Sequence, residues 1–228
     1  MPAFLGRFLD LIYPPLCPVC GSLLTGGEAC LCTACRYHLP RTRFEDFRRN
    51  EACERLADRL PFDKAYATFR YLKESSVQRL FEQFKYHGDK RLATYLGTLA
   101  AQELKERSFF DGMDLIVPVP LHPARLRQRG YNQSHLIAQA LGKCSGLPVE
   151  TEALGRKLET RTQTRKGPWD RQLNMQDAFV AIRPELVSGR HVLLVDDVLT
   201  TGATMLASAR SLREAGCRQL SFFALALA

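Results

Sequence analysis

The chain has 228 residues, 46% of them hydrophobic and 25% charged, which excludes a disordered or low-complexity polypeptide and supplies one full core plus a small appendage. Thirty-two Lys and Arg against 24 Asp and Glu leave a formal charge of +8, which favours anionic partners, whether polyanions or small molecules. The first eighteen residues, MPAFLGRFLDLIYPPLCP, are interrupted by Arg7 and Asp10, lack a small-residue cleavage site and are too short to span a bilayer, so a cytoplasmic location is expected.

Phe4, Phe8 and Ile12 recur at helical spacing ahead of Pro14-Pro15 and predict a short amphipathic helix packed on the core. Six of the eight cysteines then follow before residue 54. Without a secretory signal a disulfide framework is not expected, and CPVC followed by CTAC gives Cys17-x2-Cys20, an eleven-residue gap and Cys32-x2-Cys35. Two such knuckles can aim four thiolates at one Zn2+ in a closed tetrahedral site with no open position for catalysis. Cys30 and His38 are competing ligands, and redox sensing by the thiols is the alternative reading. Cys53, Cys144 and Cys217 read as small buried hydrophobes. These features divide the chain into an N-terminal helix and zinc module over residues 1–60 and a second domain over 61–228.

In the second domain YATFRYL (66–72) alternates like a strand. Val77, Leu80, Phe81 and Phe84 follow helical spacing from a Ser75 or Ser76 cap, with His87-Gly88 as the stop. Asp89 caps a further helix carrying Leu92, Leu96 and Leu99. From residue 114 buried strands alternate with helices: DLIVPVP, SHLIAQALGKC, an edge-like LPVETEAL, HVLLVDDV, TMLASARSLREAG and CRQLSFFALALA. That alternation predicts an α/β fold, a parallel sheet flanked by helices, whose ligands bind at the C-terminal ends of the strands.

VLLVDDVLTTGAT (192–204) falls at such an end. Asp196 and Asp197 close the strand, and Thr200, Thr201, Gly202, Ala203 and Thr204 turn into the next helix. Helix N-terminal amides and threonine hydroxyls suit a phosphate, and Gly202 permits close backbone approach. Paired carboxylates beside such a cradle repel a bare polyphosphate but accept hydrogen bonds from a diol, so the ligand read from the residues is a ribose 5-phosphate. The Gly-Lys-Ser/Thr of a P-loop is missing, and the paired acids come too late in the chain for a receiver domain.

This stretch resembles the phosphoribosyl pyrophosphate (PRPP) motif of type I phosphoribosyltransferases. The wider series, consisting of the four cysteines, FKYHGDKRLATYL, VPVPLHPARLRQRGYNQSHLIAQAL, RTQTRKGPWDRQLNMQDAF and the PRPP motif, resembles the ComF family, including GntX-like proteins, over nearly the whole chain. The resemblance implies a zinc module joined to a type I phosphoribosyltransferase-like domain, associated with natural competence or use of external DNA. It implies that Asp196 and Asp197 hold the ribose hydroxyls, residues 200–204 the 5'-phosphate, and the segment after the 114–120 strand the pyrophosphate. Arg125, Arg127 and Arg129 supply charge beside that segment, followed by Gly130, Tyr131, Asn132 and Gln133; arginine's planar fork suits phosphate oxygens. Residues 156–174, with Arg156, Lys157, Arg161, Arg165, Lys166 and Arg171, are expected to close over the pyrophosphate, and Mg2+ to be held mainly by ligand oxygens. His122 and His135 are acid-base candidates by position alone.

Two functions follow. One is a ComF-type protein that binds PRPP with Mg2+ and single-stranded DNA in DNA uptake, with DNA-processing proteins as further partners; basic residues interleaved with aromatics at Arg70, Tyr71, Lys73, Phe84, Lys85, Tyr86, His87, Lys90 and Arg91, with Trp169 in the basic loop, favour it. The other is an active phosphoribosyltransferase in nucleotide metabolism that makes no DNA contact, toward which the enzyme reading leans. A single strand follows the PRPP-motif helix, so contacts to an acceptor must come from the N-terminal half, and no acceptor pocket is legible in the sequence.

Overall fold

The computed structural model describes residues 14–57, 60–157 and 178–228. The N-terminal segment turns back on itself through a bridge between Leu16 and Leu23 and leads into a short helix α1 (Thr33–Tyr37) whose N-cap is Cys32. Helix α2 (Glu51–Leu56) is capped by Asn50, whose Oδ1 accepts from the Cys53 amide at 3.1 Å. Strand β1 (Ala65–Arg70) follows, then α3 (Ser76–Tyr86) and α4 (Lys90–Glu106). Ser75 and Asp89 cap these two helices through the amides of Gln78 (3.2 Å) and Leu92 (3.1 Å), the side-chain oxygen satisfying an amide that has no partner within its helix.

Strand β2 (Leu115–Pro118) runs into α5 (Pro123–Arg129) and α6 (Gln133–Ser145), and β3 (Leu154–Arg156) pairs antiparallel with β4 (Phe179–Ala181). The last units are β5 (His191–Leu199), α7 (Ala203–Glu214) and β6 (Gln219–Leu227). Strands β1, β6, β5 and β2 form one sheet in that order, parallel throughout. Residues alternate between its two faces: Leu193, Val195, Phe223 and Leu225 pack with α3, α4 and α6, while Val192, Leu194, Phe222 and Ala224 pack with α2 and α7. Burying side chains such as Phe222 and Phe223 is worth about 2–3 kcal/mol each relative to leaving them in water. The sheet is thus covered on both sides, as its near-continuous apolar strands require.

Three expectations are corrected. The stretch 147–154 does not make an edge strand: it contributes one parallel bridge, Val149 to Ile116, and the chain then turns away to pair 154–156 with 179–181 in a separate two-stranded sheet. Leu154 and Phe179 of that pair, with Ala153 just before it, are buried against the α2 and α7 face, and Ser211 of α7 donates its hydroxyl to the Phe179 carbonyl at 3.0 Å. The arginine-bearing segment after β2, for which no element was expected, is helix α5, started by the His122 side chain and Pro123 and ended by Gly130 at φ +78°. Finally, β5 continues to Leu199, past the two acids expected to close it, because β6 beside it continues to pair through Leu227. The expected helix over Phe4, Phe8 and Ile12 lies outside the described residues. Among the described residues no helix is long and apolar enough to cross a membrane.

Candidate functional site

The overhang of β5 creates the site. Strand β2 pairs with β5 only as far as Pro118 and Val195, and the chain leaves after the Val119 amide has bonded to the Val195 carbonyl at 2.8 Å. Asp196 and Asp197 therefore lie beyond the carboxyl end of β2, at the mouth of a cleft of about 220 Å³. The start of α6 is fastened across it: the Asn132 amide donates to the Val119 carbonyl at 2.9 Å.

The two carboxylates are held differently. Asp196 Oδ1 accepts from the Ser134 hydroxyl at 2.9 Å and from the Asp197 amide at 2.8 Å. Burial, reinforced by the neighbouring Asp197 charge, pushes its carboxyl up to about 7 despite those two bonds. Asp197 instead faces Lys85, whose Nζ lies 2.8 Å from its Oδ2, with both side chains about four-fifths buried (20% and 17% exposed). One acid of the pair is neutralised by a lysine from the end of α3, and the other is balanced between its protonated and ionised forms near neutral pH.

Positive charge converges on the same cleft from three elements. Arg125 and Arg129 of α5 and Arg156 at the end of β3 line it. Four residues apart on a helix, Arg125 and Arg129 share a face, whereas Arg127 falls on the opposite side and lines no described cavity. Arg129 donates to Gln133 Oε1 at 2.7 Å, and among the described residues the Nε2 of that same buried glutamine has no well-formed hydrogen bond. An incompletely satisfied buried amide donor at the wall of a cationic cleft is costly unless a ligand oxygen completes it.

Past Leu199 the chain turns through Thr200 to Gly202, and Gly202, at φ +76°, starts α7 without a side-chain cap. The helix start presents its first amides, of which Ala203 N bonds weakly to Thr201 Oγ1 at 3.5 Å. Thr204 lines the cleft, while Thr200 and Thr201 are exposed at its rim. The turn is braced from behind: Arg55 of α2 donates to the Thr200 carbonyl at 2.8 Å and also bonds the carbonyl of Ala228. Arg161 and Arg165, expected over the cleft, lie outside the described residues. Of the histidines, His122 accepts from the Ala124 amide at 3.1 Å as a helix cap, and the His135 imidazole is held below its ordinary pKa by burial.

Sequence reasoning missed Ser134, read only as a helix start, and placed Lys85 only among the basic residues interleaved with aromatics. Their proximity to Asp196 and Asp197 depends on how α6 and α3 pack on the sheet, which no local pattern encodes. Phe84, one of the aromatics expected to be available to bases, is fully buried; Tyr86 is 71% exposed.

Far from the cleft, the sulfurs of Cys17, Cys20, Cys32 and Cys35 all lie within 4.8 Å of one another and could hold a metal ion. Cys20 Sγ and Cys32 Sγ are 3.7 Å apart, close to the edge of about 3.8 Å expected of a tetrahedron of thiolates ~2.3 Å from a central ion. Bonding from Ser22 draws the Cys20 thiol down to about 6, favouring the thiolate that binds metal. Glu28 ties the two knuckles: it accepts from the Thr25 amide at 2.9 Å and the Thr33 amide at 2.6 Å. The alternatives separate themselves. Cys30 is outside the cluster, and His38 Nδ1 is engaged with the Ala34 carbonyl at 2.8 Å.

A parallel sheet covered on both faces, with paired acids and a helix start at the end of β5, defines a protein of the type I phosphoribosyltransferase fold, and residues 152–227 match the phosphoribosyl transferase domain family. Competence protein F of Haemophilus influenzae is 33% identical over 172 residues, covering 73% of this chain and 74% of that one. DNA utilization protein YhgH of Escherichia coli K12 is 31% identical over 229 residues, covering 99% and 93%, and competence protein ComFC of Bacillus subtilis is 27% identical over 146 residues, covering 64% and 57%. The chain belongs to the ComF family.

Proposed function

We propose that this ComF-family chain binds PRPP with Mg2+ in the cleft at the end of β5, and that it acts on incoming or external DNA as the names of its relatives suggest. The observation that carries the reading is the junction of two acids with Lys85, Arg125, Arg129, Arg156 and the incompletely satisfied Gln133 amide in one cleft. Asp196 and Asp197 accept from the ribose hydroxyls, the amides and hydroxyls of residues 200–204 take the 5'-phosphate, and the arginines face the pyrophosphate. Arg161 and Arg165 are assigned the same partner from the sequence alone. The donor set suits Mg2+, which when bound to PRPP screens the pyrophosphate oxygens. The four-cysteine cluster is assigned to structural Zn2+, a role in which a closed thiolate set supplies folding energy and no chemistry. The division into a zinc module (1–60) and a phosphoribosyltransferase-like domain (61–228) is kept as a functional one, although α2 packs into the core of the sheet. The location assigned is the cytoplasm.

Titration of PRPP with Mg2+ into the wild type and an Asp196→Asn/Asp197→Asn variant, followed by calorimetry, tests this. Binding is expected in the wild type and should weaken by roughly a hundredfold or more in the variant, since two charge-assisted contacts are lost. Equal heats in both proteins would remove the cleft from consideration. For the DNA arm, the exposed Tyr86 supplies a stacking face beside Lys85 and Arg129, and affinity for single-stranded DNA should fall steeply with salt; a flat salt dependence would exclude a phosphate-contact mode.

The second reading, an active transferase, is favoured by the acid pair and the converging cations, which suit positioning of an oxocarbenium-like ribose and neutralisation of the departing pyrophosphate. Pyrophosphate release that requires both PRPP and an acceptor, and is lost in Asp196→Asn, is its signature.

A further inference from the structure

The turn from β5 into α7 is shaped by residues that do not line the cleft. Arg55 of α2 donates through Nη1 to the Thr200 carbonyl at 2.8 Å and bonds the Ala228 carbonyl as well. The Ala228 amide in turn donates to the Leu199 carbonyl at 3.0 Å, so two successive carbonyls at the end of β5 are engaged before the chain reaches Gly202. Arg55 Nη2 also meets Glu51 Oε1 at 3.1 Å, and Glu51 Oε2 accepts from Arg70, the last residue of β1, at 2.8 Å. Hydrogen bonding from Arg70 and then Arg55 holds the Glu51 carboxyl below its ordinary range, so the group stays ionised at neutral pH. One carboxylate thus serves two guanidiniums, which leaves positive charge in excess behind the turn. None of these three residues lines the cleft.

A peptide unit is planar, and in its trans form the carbonyl and the next amide point in opposite directions. Every described peptide is trans. A Thr200 oxygen drawn toward Arg55 therefore turns the Thr201 N–H away from α2. Unheld, the same peptide would be free to flip, and a carbonyl oxygen facing a phosphate repels it. The guanidinium removes that alternative and, by polarising the peptide, strengthens the amide on its other side. Gly202 is what lets α2 come so close, since a Cβ there would lie 3.2 Å from the Arg55 carbonyl oxygen. From these contacts we propose that Arg55 is a positioning residue for the ribose 5'-phosphate: without touching the ligand, it holds the Thr200–Thr201 peptide with its amide presented to the phosphate and places a positive charge behind it. Helix α2, which belongs to residues 1–60, thereby contributes to a site whose other parts come from residues 61–228. The proposal rests on the reading of the cleft as a ribose phosphate site. It is confined to the phosphate end, because pyrophosphate faces Arg125, Arg129 and Arg156 and has no need of Arg55.

The test uses the full-length protein and two probes, ribose 5-phosphate and inorganic pyrophosphate, each titrated by calorimetry in the presence of Mg2+. Arg55→Met keeps the apolar stem and the helix propensity of α2 while removing the charge and every donor. It should weaken ribose 5-phosphate by about tenfold, the order expected when one charge-assisted contact is lost, and leave pyrophosphate within about twofold. Arg55→Lys retains the charge but has one ammonium for two carbonyls, so it should restore most of the affinity and remain about threefold weaker than wild type. The Thr201 amide resonance gives a readout that needs no ligand, and it is expected to shift in Arg55→Met. A merely structural brace would lower the urea midpoint and leave both affinities of the folded protein unchanged; that result, or equal weakening of the two probes, overturns the proposal. Should Arg55→Met not fold, Arg55→Lys decides, and wild-type affinity for ribose 5-phosphate with an unmoved Thr201 resonance overturns it. Absence of ribose 5-phosphate heat in the wild type strikes the reading of the cleft instead. The Thr201 resonance then still decides whether Arg55 sets that peptide.

Discussion

Asp196 and Asp197 are neighbours in sequence with identical side chains, yet the fold gives them opposite electrostatic settings. Asp197 has Lys85 at 2.8 Å; Asp196 has a hydroxyl, an amide and a carboxylate neighbour, and is raised to about 7. A carboxyl whose folded-state pKa exceeds its unfolded value binds protons more readily when folded. The stability it contributes is therefore complete at low pH and is lost as pH rises from about 4 to about 7. Asp196→Asn cannot ionise, so it should gain stability relative to wild type across that window, by roughly 4 kcal/mol between pH 4 and pH 8. Urea denaturation at a series of pH values measures the difference directly; parallel curves for the two proteins would show that Asp196 titrates normally. A pair held this way tolerates a cost in the free protein that a diol donating to both acids relieves.

Among the elements, the turn from β5 into α7 is closely constrained by its surroundings. Gly202 is at φ +76°, and a Cβ there would lie 2.9 Å from Leu56 Cδ2 and 3.2 Å from the Arg55 carbonyl oxygen. Backbone strain and the approach of α2 act together, so Gly202→Ala should cost about 1–3 kcal/mol and displace the turn that Arg55 braces. A lowered urea midpoint together with weakened ribose 5-phosphate binding is the expected result; an unchanged midpoint would mean that α2 yields freely. Helix α5 shows where the sequence misleads at this scale. Its arginines drew attention only as charge beside the pyrophosphate, but Pro123 at the first turn and Gly130 at the end were the marks of a short helix, and helical geometry then separates Arg127 from Arg125 and Arg129. The three-residue strands β3 and β4 were illegible for another reason: segments so short carry no periodicity and exist because they find each other and the face of α7.

At the scale of the molecule, the cysteine module is not an independent bead. Cys17, Leu31 and Leu39 are buried in the same apolar cluster as Phe81 and Leu96, and Arg79 of α3 donates to the Val19 carbonyl at 3.2 Å. Metal removal should therefore be felt beyond the knuckles, since it releases a segment that covers α3, the helix delivering Lys85 and Tyr86. One zinc per chain by elemental analysis is expected, as is a fall in thermal midpoint of several degrees after chelation or in Cys32→Ser, consistent with a loss of a few kcal/mol. A metal-free protein with unchanged midpoint would reduce the cluster to a set of reduced thiols.

The sequence by itself determined the local chemistry: four cysteines at knuckle spacing, a cap at Ser75 or Ser76 and another at Asp89, buried apolar strands that must be covered on both faces, and two acids followed by a glycine turn at a strand end. Each is written in contiguous residues, because a cap, a strand pattern or a metal knuckle is satisfied within a few positions of itself. Only the tertiary structure decided what meets the acids. Lys85 is 112 positions from Asp197 and Ser134 is 62 from Asp196. Their meeting depends on α3 and α6 packing against one face of the sheet and on β5 outrunning β2, relations set by the packing of whole elements and recorded in no stretch of sequence.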